Sequence, residues 1–518
     1  MLVAPAALAQ PEPAPDPPAT AEPRPDPPPE VAPPVAPTTT PEPTPPANPP
    51  AAVVAPRHPD VAPVAPTNPP APTQPVREEG FSFGSYGRII AATDARGRPG
   101  RDADLVAHGS RLDESNYAEL ELARYDYWKK TDVSTRLVVT LAFANPIFHY
   151  DGNFDVKMAI RNLYLEEHDL GLEGLSVWAG SRMYRGDDIY LLDWWALDNL
   201  NTIGAGARYD TKNKHTSAAI HGGLNQPDAP FFHQTVLRAP AQNQFGATEV
   251  EVLDRQKFVG SLKVSHIIPV AHTGGLKGVA YAEMHRLPAG QRETDPSVFQ
   301  TLPSDDGYVI GAQIGAFTGE RDTHVNLSFR YARGVAAFGE FASPGQLQPD
   351  LTTSGAHEFV VALGGNWEMG PFGVMLGAYV RTFRDASPAL NFEDVDEGIL
   401  AVRPHIFFGE IAGLAVEGSY QVQQRGVLAS AVGDAADTTA PTGPLSASLV
   451  RFGFIPFLSP GGRGDYSRPH LRLIYLVTLR DEDARALYPQ DDVFGLRDTE
   501  HFFGVGAEWW FNSSSYGG

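Results

Sequence analysis

The chain has no cysteine in 518 residues. Disulfide staples, thiolate metal ligands and cysteine nucleophiles are excluded together. No run of about 18 consecutive apolar residues occurs, so no segment reads as a membrane-spanning helix. Positive charge is scarce: 40 Lys and Arg stand against 62 Asp and Glu, a formal net charge of -22. Nucleic-acid binding needs clustered basic side chains that release counterions, and their absence argues against such a partner. Hydrolytic machinery is missing too. There is no Gly-x-Ser-x-Gly elbow and no phosphate-binding loop, and Asp187 and Asp188 are loop neighbours, which does not make a glycosidase pair. His405 and His470 each follow an Arg-Pro pair, far apart and without a third ligand at metal spacing. The sequence therefore points away from an enzyme and implies no cofactor and no metal.

What is present divides into two parts. Residues 1–9 read as the end of a secretory signal, with Ala7-Leu8-Ala9 as a small-residue cleavage site but no basic stretch before it. Residues 10–79 are rich in Pro, Ala, Glu and Thr, and 28 of the 48 prolines fall within residues 1–76, so this part cannot build a core. As polyproline II it reaches on the order of 200 Å, the scale of a periplasmic tether. The expectation is a disordered N-terminal extension that contacts periplasmic partners.

From residue 80 the composition turns aromatic and alternating, and it stays so to Phe511. Val325, Leu327, Phe329 and Tyr331 share one face, and His324, Asn326, Ser328 and Arg330 share the other. Leu414, Val416, Tyr420 and Val422 oppose Glu417, Ser419 and Gln421 in the same way. In the stretch 470–480 five apolar residues oppose Arg472 and Arg480. At the end Phe503, Val505, Ala507, Trp509 and Phe511 suit lipid, whereas Glu508 and Trp510 suit a lumen. Segments of about ten residues match tilted strands that cross a bilayer. A tight turn at 364–373 and a long, mostly polar loop at 429–446 show the asymmetry of an outer-membrane barrel. At about 24 residues per strand, loop included, residues 80–511 supply roughly 18 strands. The expected fold is all-β, a transmembrane antiparallel barrel over 80–511, followed by a short tail at 512–518.

Four stretches resemble one family. Phe83, Tyr86 and Arg88 carry the first; Ser110, Arg111, Leu112, Tyr117 and Glu119 the second. The most specific is 177–195, which holds Arg182, Tyr184, Asp188, Tyr190, Asp193 and Trp195. The last comprises Tyr466, Arg468 and Pro469 with Glu508, Trp510 and Phe511. Together they are similar to the maltoporin-type carbohydrate porins, except over roughly 215–395, where no alignment is apparent. The resemblance implies a homotrimer in outer-membrane lipid that passes oligosaccharides, maltooligosaccharides or related sugars, by diffusion. It implies a sugar-binding aromatic ladder of Tyr86, Tyr117, Tyr466 and Trp510. The polar track and constriction would comprise Arg88, Arg111, Glu119, Arg161, Arg185, Asp188 and Asp193, with Trp195 where the family pinches its channel. Ring faces tolerate sliding, and guanidinium and carboxylate groups exchange hydrogen bonds stepwise with hydroxyls.

Departures leave the solute open. Gly186 stands where the family has an arginine, beside Arg185, and Gly274 and Gly275 fall at the inner end of the ladder. The loop that lends an aromatic to a neighbouring subunit is short at 145–153, with Phe148 and Tyr150 as substitutes. A less selective solute porin and a surface receptor or adhesin are the alternatives.

Overall fold

The computed structural model describes residues 79–144, 157–239, 246–270, 273–318, 323–387, 394–426, 444–488 and 492–514. The expectations for 1–78 and 145–153, and for most of the loop 429–446, lie outside these residues.

Eighteen strands of 10 to 15 residues run from Gly80–Asp94 to Thr499–Phe511. Each pairs antiparallel with the next barrel strand, and the first pairs with the last, so the sheet closes with Tyr86 opposite Trp510 and Arg88 opposite Glu508. The strand number matches the sequence expectation. Two small hairpins, His233–Arg238 with Thr248–Asp254 and Gly290–Asp295 with Val298–Leu302, lie in the connections outside this sheet.

Period-two alternation puts opposite chemistry on the two faces. Ile203, Ile220, Ile314 and Val505 project outward and are more than 60% exposed, whereas Glu119, Thr140, Gln421 and Glu508 face inward and are buried. A soluble protein would reverse this arrangement. Hydrocarbon accepts the apolar exterior, and closure gives every barrel strand a neighbour on both edges. Exposed aromatics mark both rims. Phe81, Phe83, Trp128, Trp367, Phe372, Phe408 and Phe511 lie at one; Phe258, Tyr308, Phe359 and Tyr420 lie toward the other.

Connections differ sharply between the two ends. On the side of the chain's first strand start they shrink to residues 370–371 or 409–411. The longest there, 459–469, folds inward. On the opposite side they include 95–116, 186–198, 226–256 and 335–356. Two of these long connections enter the barrel. The wall is hollowed to receive them: a Cβ on Gly377 would come within 3.0 Å of Ile189 and 3.1 Å of Leu191, and one on Gly311 would come within 2.4 Å of Leu197. Ile189, Tyr190, Leu191, Leu192 and Trp194 pack there with Val106, Val360, Met375 and Tyr379, so the apolar core sits inside the lumen, on the inserted loops.

Candidate functional site

The connection 95–116 is held down by hydrogen bonds to inward-facing side chains of the wall. The backbone N–H of Leu105 donates to Gln421 Oε1 at 2.8 Å, and that of His108 to Tyr379 Oη at 3.1 Å. Ser110 Oγ donates to Glu417, and Arg451 bridges Asp113 at 2.9 Å and Asp104 at 3.0 Å. The connection 186–198 is tied to the opposite wall by Lys277, 2.6 Å from Asp187, and by Lys263, 2.6 Å from Asp198. Its Gly186 is sterically required: a Cβ would lie 1.9 Å from Asp198 Oδ1. The two connections meet where His108 stacks on Trp194 with centroids 4.3 Å apart and planes at 13°.

Along one wall the strands place most of the sequence-derived residues together. Tyr117 and Tyr86 lie 5.9 Å apart. Tyr117 Oη donates to Glu119 Oε1 at 2.5 Å, and Arg161 reaches both Tyr117 and, at 2.7 Å, Glu119. Arg88 pairs with Asp193 at 2.8 Å and Glu114 at 2.7 Å. Arg111 donates to Tyr86 Oη at 2.7 Å and to Glu508 Oε1 at 2.9 Å, with its guanidinium 4.4 Å from the Tyr190 ring centre. Tyr86 and Arg111 are buried beneath these contacts.

Deeper in, the rings converge on Tyr190. Tyr466, from the inward connection 459–469, meets it at 5.5 Å and Trp510 meets it at 6.2 Å, both edge-on. Arg468 lies 3.9 Å over Trp510 and 2.8 Å from Glu508. Arg472 also pairs with Glu508, to which Tyr190 Oη donates at 2.7 Å. Burial alone would raise the Tyr190 phenol. Arg468, Arg472, Arg111 and Arg403 outweigh it and bring it down to about 7, which makes its hydroxyl a strong donor. Asp188 lies in the same inward connection, where burial and then Asp193 push its carboxyl up to about 6.

Arg185 and Trp195 stand apart from this knot. The guanidinium stacks 3.8 Å over the indole, and both line a cavity of about 890 Å³ on the side of the long connections. Tyr117 and Arg161 line the same cavity. Tyr190 meets Tyr466 and Trp510, and Trp195 lines the cavity. Tyr190, Arg468 and Arg472 were visible within sequence stretches noted above, but alternation alone gave no reason to rank them. The signal that would have found them is the convergence on Glu508, which only the closed seam creates.

The LamB porin family model matches residues 81–511. The chain belongs to the LamB porin family. It is an outer-membrane porin, a transport channel by fold and family. Solved structures that match include OccAB1 of Acinetobacter baumannii, at 10% identity and a TM-score of 0.40, covering 84% of this chain and 97% of that one. OccK1 of Pseudomonas aeruginosa matches at 9% identity and a TM-score of 0.39, over 84% and 99% of the two chains. OprB of Pseudomonas putida matches at 10% identity and a TM-score of 0.36, over 83% and 94%. No curated protein matches.

Proposed function

We propose that this porin is selective for sugars and passes oligosaccharides of the maltooligosaccharide class or related chains. The supporting observation is two groups of rings, Tyr117 with Tyr86 and Tyr190 with Trp510 and Tyr466, bridged by Arg111 and flanked by Arg88, Arg161 and Glu119. Such a track offers apolar ring faces to the flat sides of pyranoses and charged hydrogen-bonding groups to their hydroxyls. Contacts that are individually weak and repeated let a solute enter and leave. Arg111 covers Tyr86 in this structure, so a passing sugar exchanges its hydroxyls for that guanidinium's bonds to reach the ring.

Single-channel recording of sugar block tests this. Tyr117→Ala and Trp510→Ala each weaken block by maltooligosaccharides by about 1 kcal/mol, roughly fivefold, while small-ion conductance holds or rises. A general solute porin shows the widening alone. Equal block in the parent and both variants, or no block by any oligosaccharide, refutes selectivity.

The family resemblance further implies a trimer, expected to migrate as a heat-labile oligomer in mild detergent. For the N-terminal extension the proposed role is a periplasmic tether. Deleting residues 11–76 leaves conductance and the thermal transition of the barrel unchanged, as calorimetry in detergent will show. A large loss of stability on deletion refutes the tether.

A further inference from the structure

The cavity above Trp195 is lined by five cationic side chains, Lys157, Arg161, Arg185, Arg330 and Arg381, and by three carboxylates, Glu283, Glu340 and Glu358. The countercharges are recessed. Glu358 is shared: Arg330 pairs with it and Arg381 lies 2.7 Å away, and the two guanidiniums keep 17% and 18% exposure against 7% for the carboxylate. Arg381 also pairs at 3.1 Å with Glu397, whose side chain is 1% exposed, and Arg161 at 2.7 Å with Glu119, which is fully buried. Glu283 is occupied by Tyr281 at 2.5 Å and His285 at 2.7 Å. Glu119, Glu358 and Glu397 are thus less exposed than the arginines they pair with, and Glu283 is taken up by its own strand neighbours.

One loop imidazole feels the same cations. Burial, and then Arg381 and Arg330, hold the His108 imidazole down at about 3. Burial pushes the Glu340 carboxyl up to about 7, so it opposes the cations only in part at neutral pH. Partly desolvated guanidiniums with shared carboxylates favour an incoming anion, and Arg presents a fork that fits a carboxylate or a phosphate. The wall that holds them belongs to a chain of strongly acidic balance, so the positive lining is local.

We propose that this vestibule selects anionic oligosaccharides, bearing a carboxylate or a phosphate, over neutral chains of equal length. The proposal rests on the sugar-channel reading above and names the class of sugar that channel favours. Block of ion current through the full-length protein by trigalacturonate, maltotriose and a phosphorylated maltose tests it. At roughly 0.1 M salt, trigalacturonate half-blocks at a concentration about tenfold below maltotriose, and about 1 M salt closes most of that gap by screening. Arg330→Gln combined with Arg381→Gln reduces the preference to under about threefold. The salt series on the unaltered protein stands even if that variant does not fold. Block by the uronate alone assigns the carboxylate, and block by the phosphate alone assigns the phosphate. Maltotriose blocking as well as or better than both anions overturns the proposal. Failure of every sugar to block overturns the sugar-channel reading itself.

Discussion

Replacing Glu508 with alanine is expected to release the two inserted connections and raise ion conductance severalfold. Glu508 accepts from Arg111, Arg468, Arg472 and Tyr190, which come from three separate inward connections and one strand. Without it, three guanidiniums stay crowded in the lumen with no common counterion. Removing one partner of a buried ion pair costs about 3–5 kcal/mol. The outward wall and its ladder of backbone bonds are untouched, so the loss falls on the docked loops. Planar-bilayer recording and protease cleavage within 95–116 read this directly. Glu508→Gln, which keeps an acceptor of the same size, gives a smaller effect. Unchanged conductance and unchanged cleavage in Glu508→Ala would show that the knot does not hold the loops.

The second large effect is expected at Tyr190. Its ring is 5% exposed and packs with Ile189, Leu191, Met375 and Tyr379, with Tyr466 and Trp510 against the cluster. Tyr190→Ala removes a buried aromatic, a class of change that costs about 3–5 kcal/mol, and it removes the ring that Tyr466 and Trp510 meet edge-on. Conductance rises and sugar residence times fall. Tyr190→Phe keeps the ring and loses only the hydroxyl that donates to Glu508 and receives Arg468. Sugar block should survive in the phenylalanine variant at near-parent strength and collapse in the alanine variant. If the two behave alike, the ring is not part of the sugar path.

Strand placement was legible because side chains alternate across a pleated sheet and lipid faces one side only. Glu417, Ser419 and Gln421 sit inside and Val416, Tyr420 and Val422 outside, as their period assigned them. By the same rule Tyr86 with Arg88 and Tyr117 with Glu119, each two apart, share a face. Alternation says nothing about a loop that leaves the sheet and re-enters the lumen. Trp195 and Tyr190 sit in such a loop, five residues apart, and only its tertiary path assigns one to the vestibule and the other to the knot. Arg330 and Arg381 lay in the stretch where no resemblance was apparent. Their shared carboxylate comes from the strand between theirs, a relation set by register and not by any local motif.

The single seam of the barrel has a consequence for assembly. Seventeen of the eighteen strand pairings join consecutive barrel strands, and one joins the first strand to the last. Consecutive pairings form from hairpins and longer local loops at modest entropic cost, but the seam must bring together residues more than 400 positions apart. Glu508 lies on the closing strand, opposite Arg88. The counterion that Arg111, Arg468 and Arg472 require therefore arrives with the last strand. An open, partly zipped sheet lacks that counterion, so sealing the wall against lipid coincides with completing the knot in the hole through it.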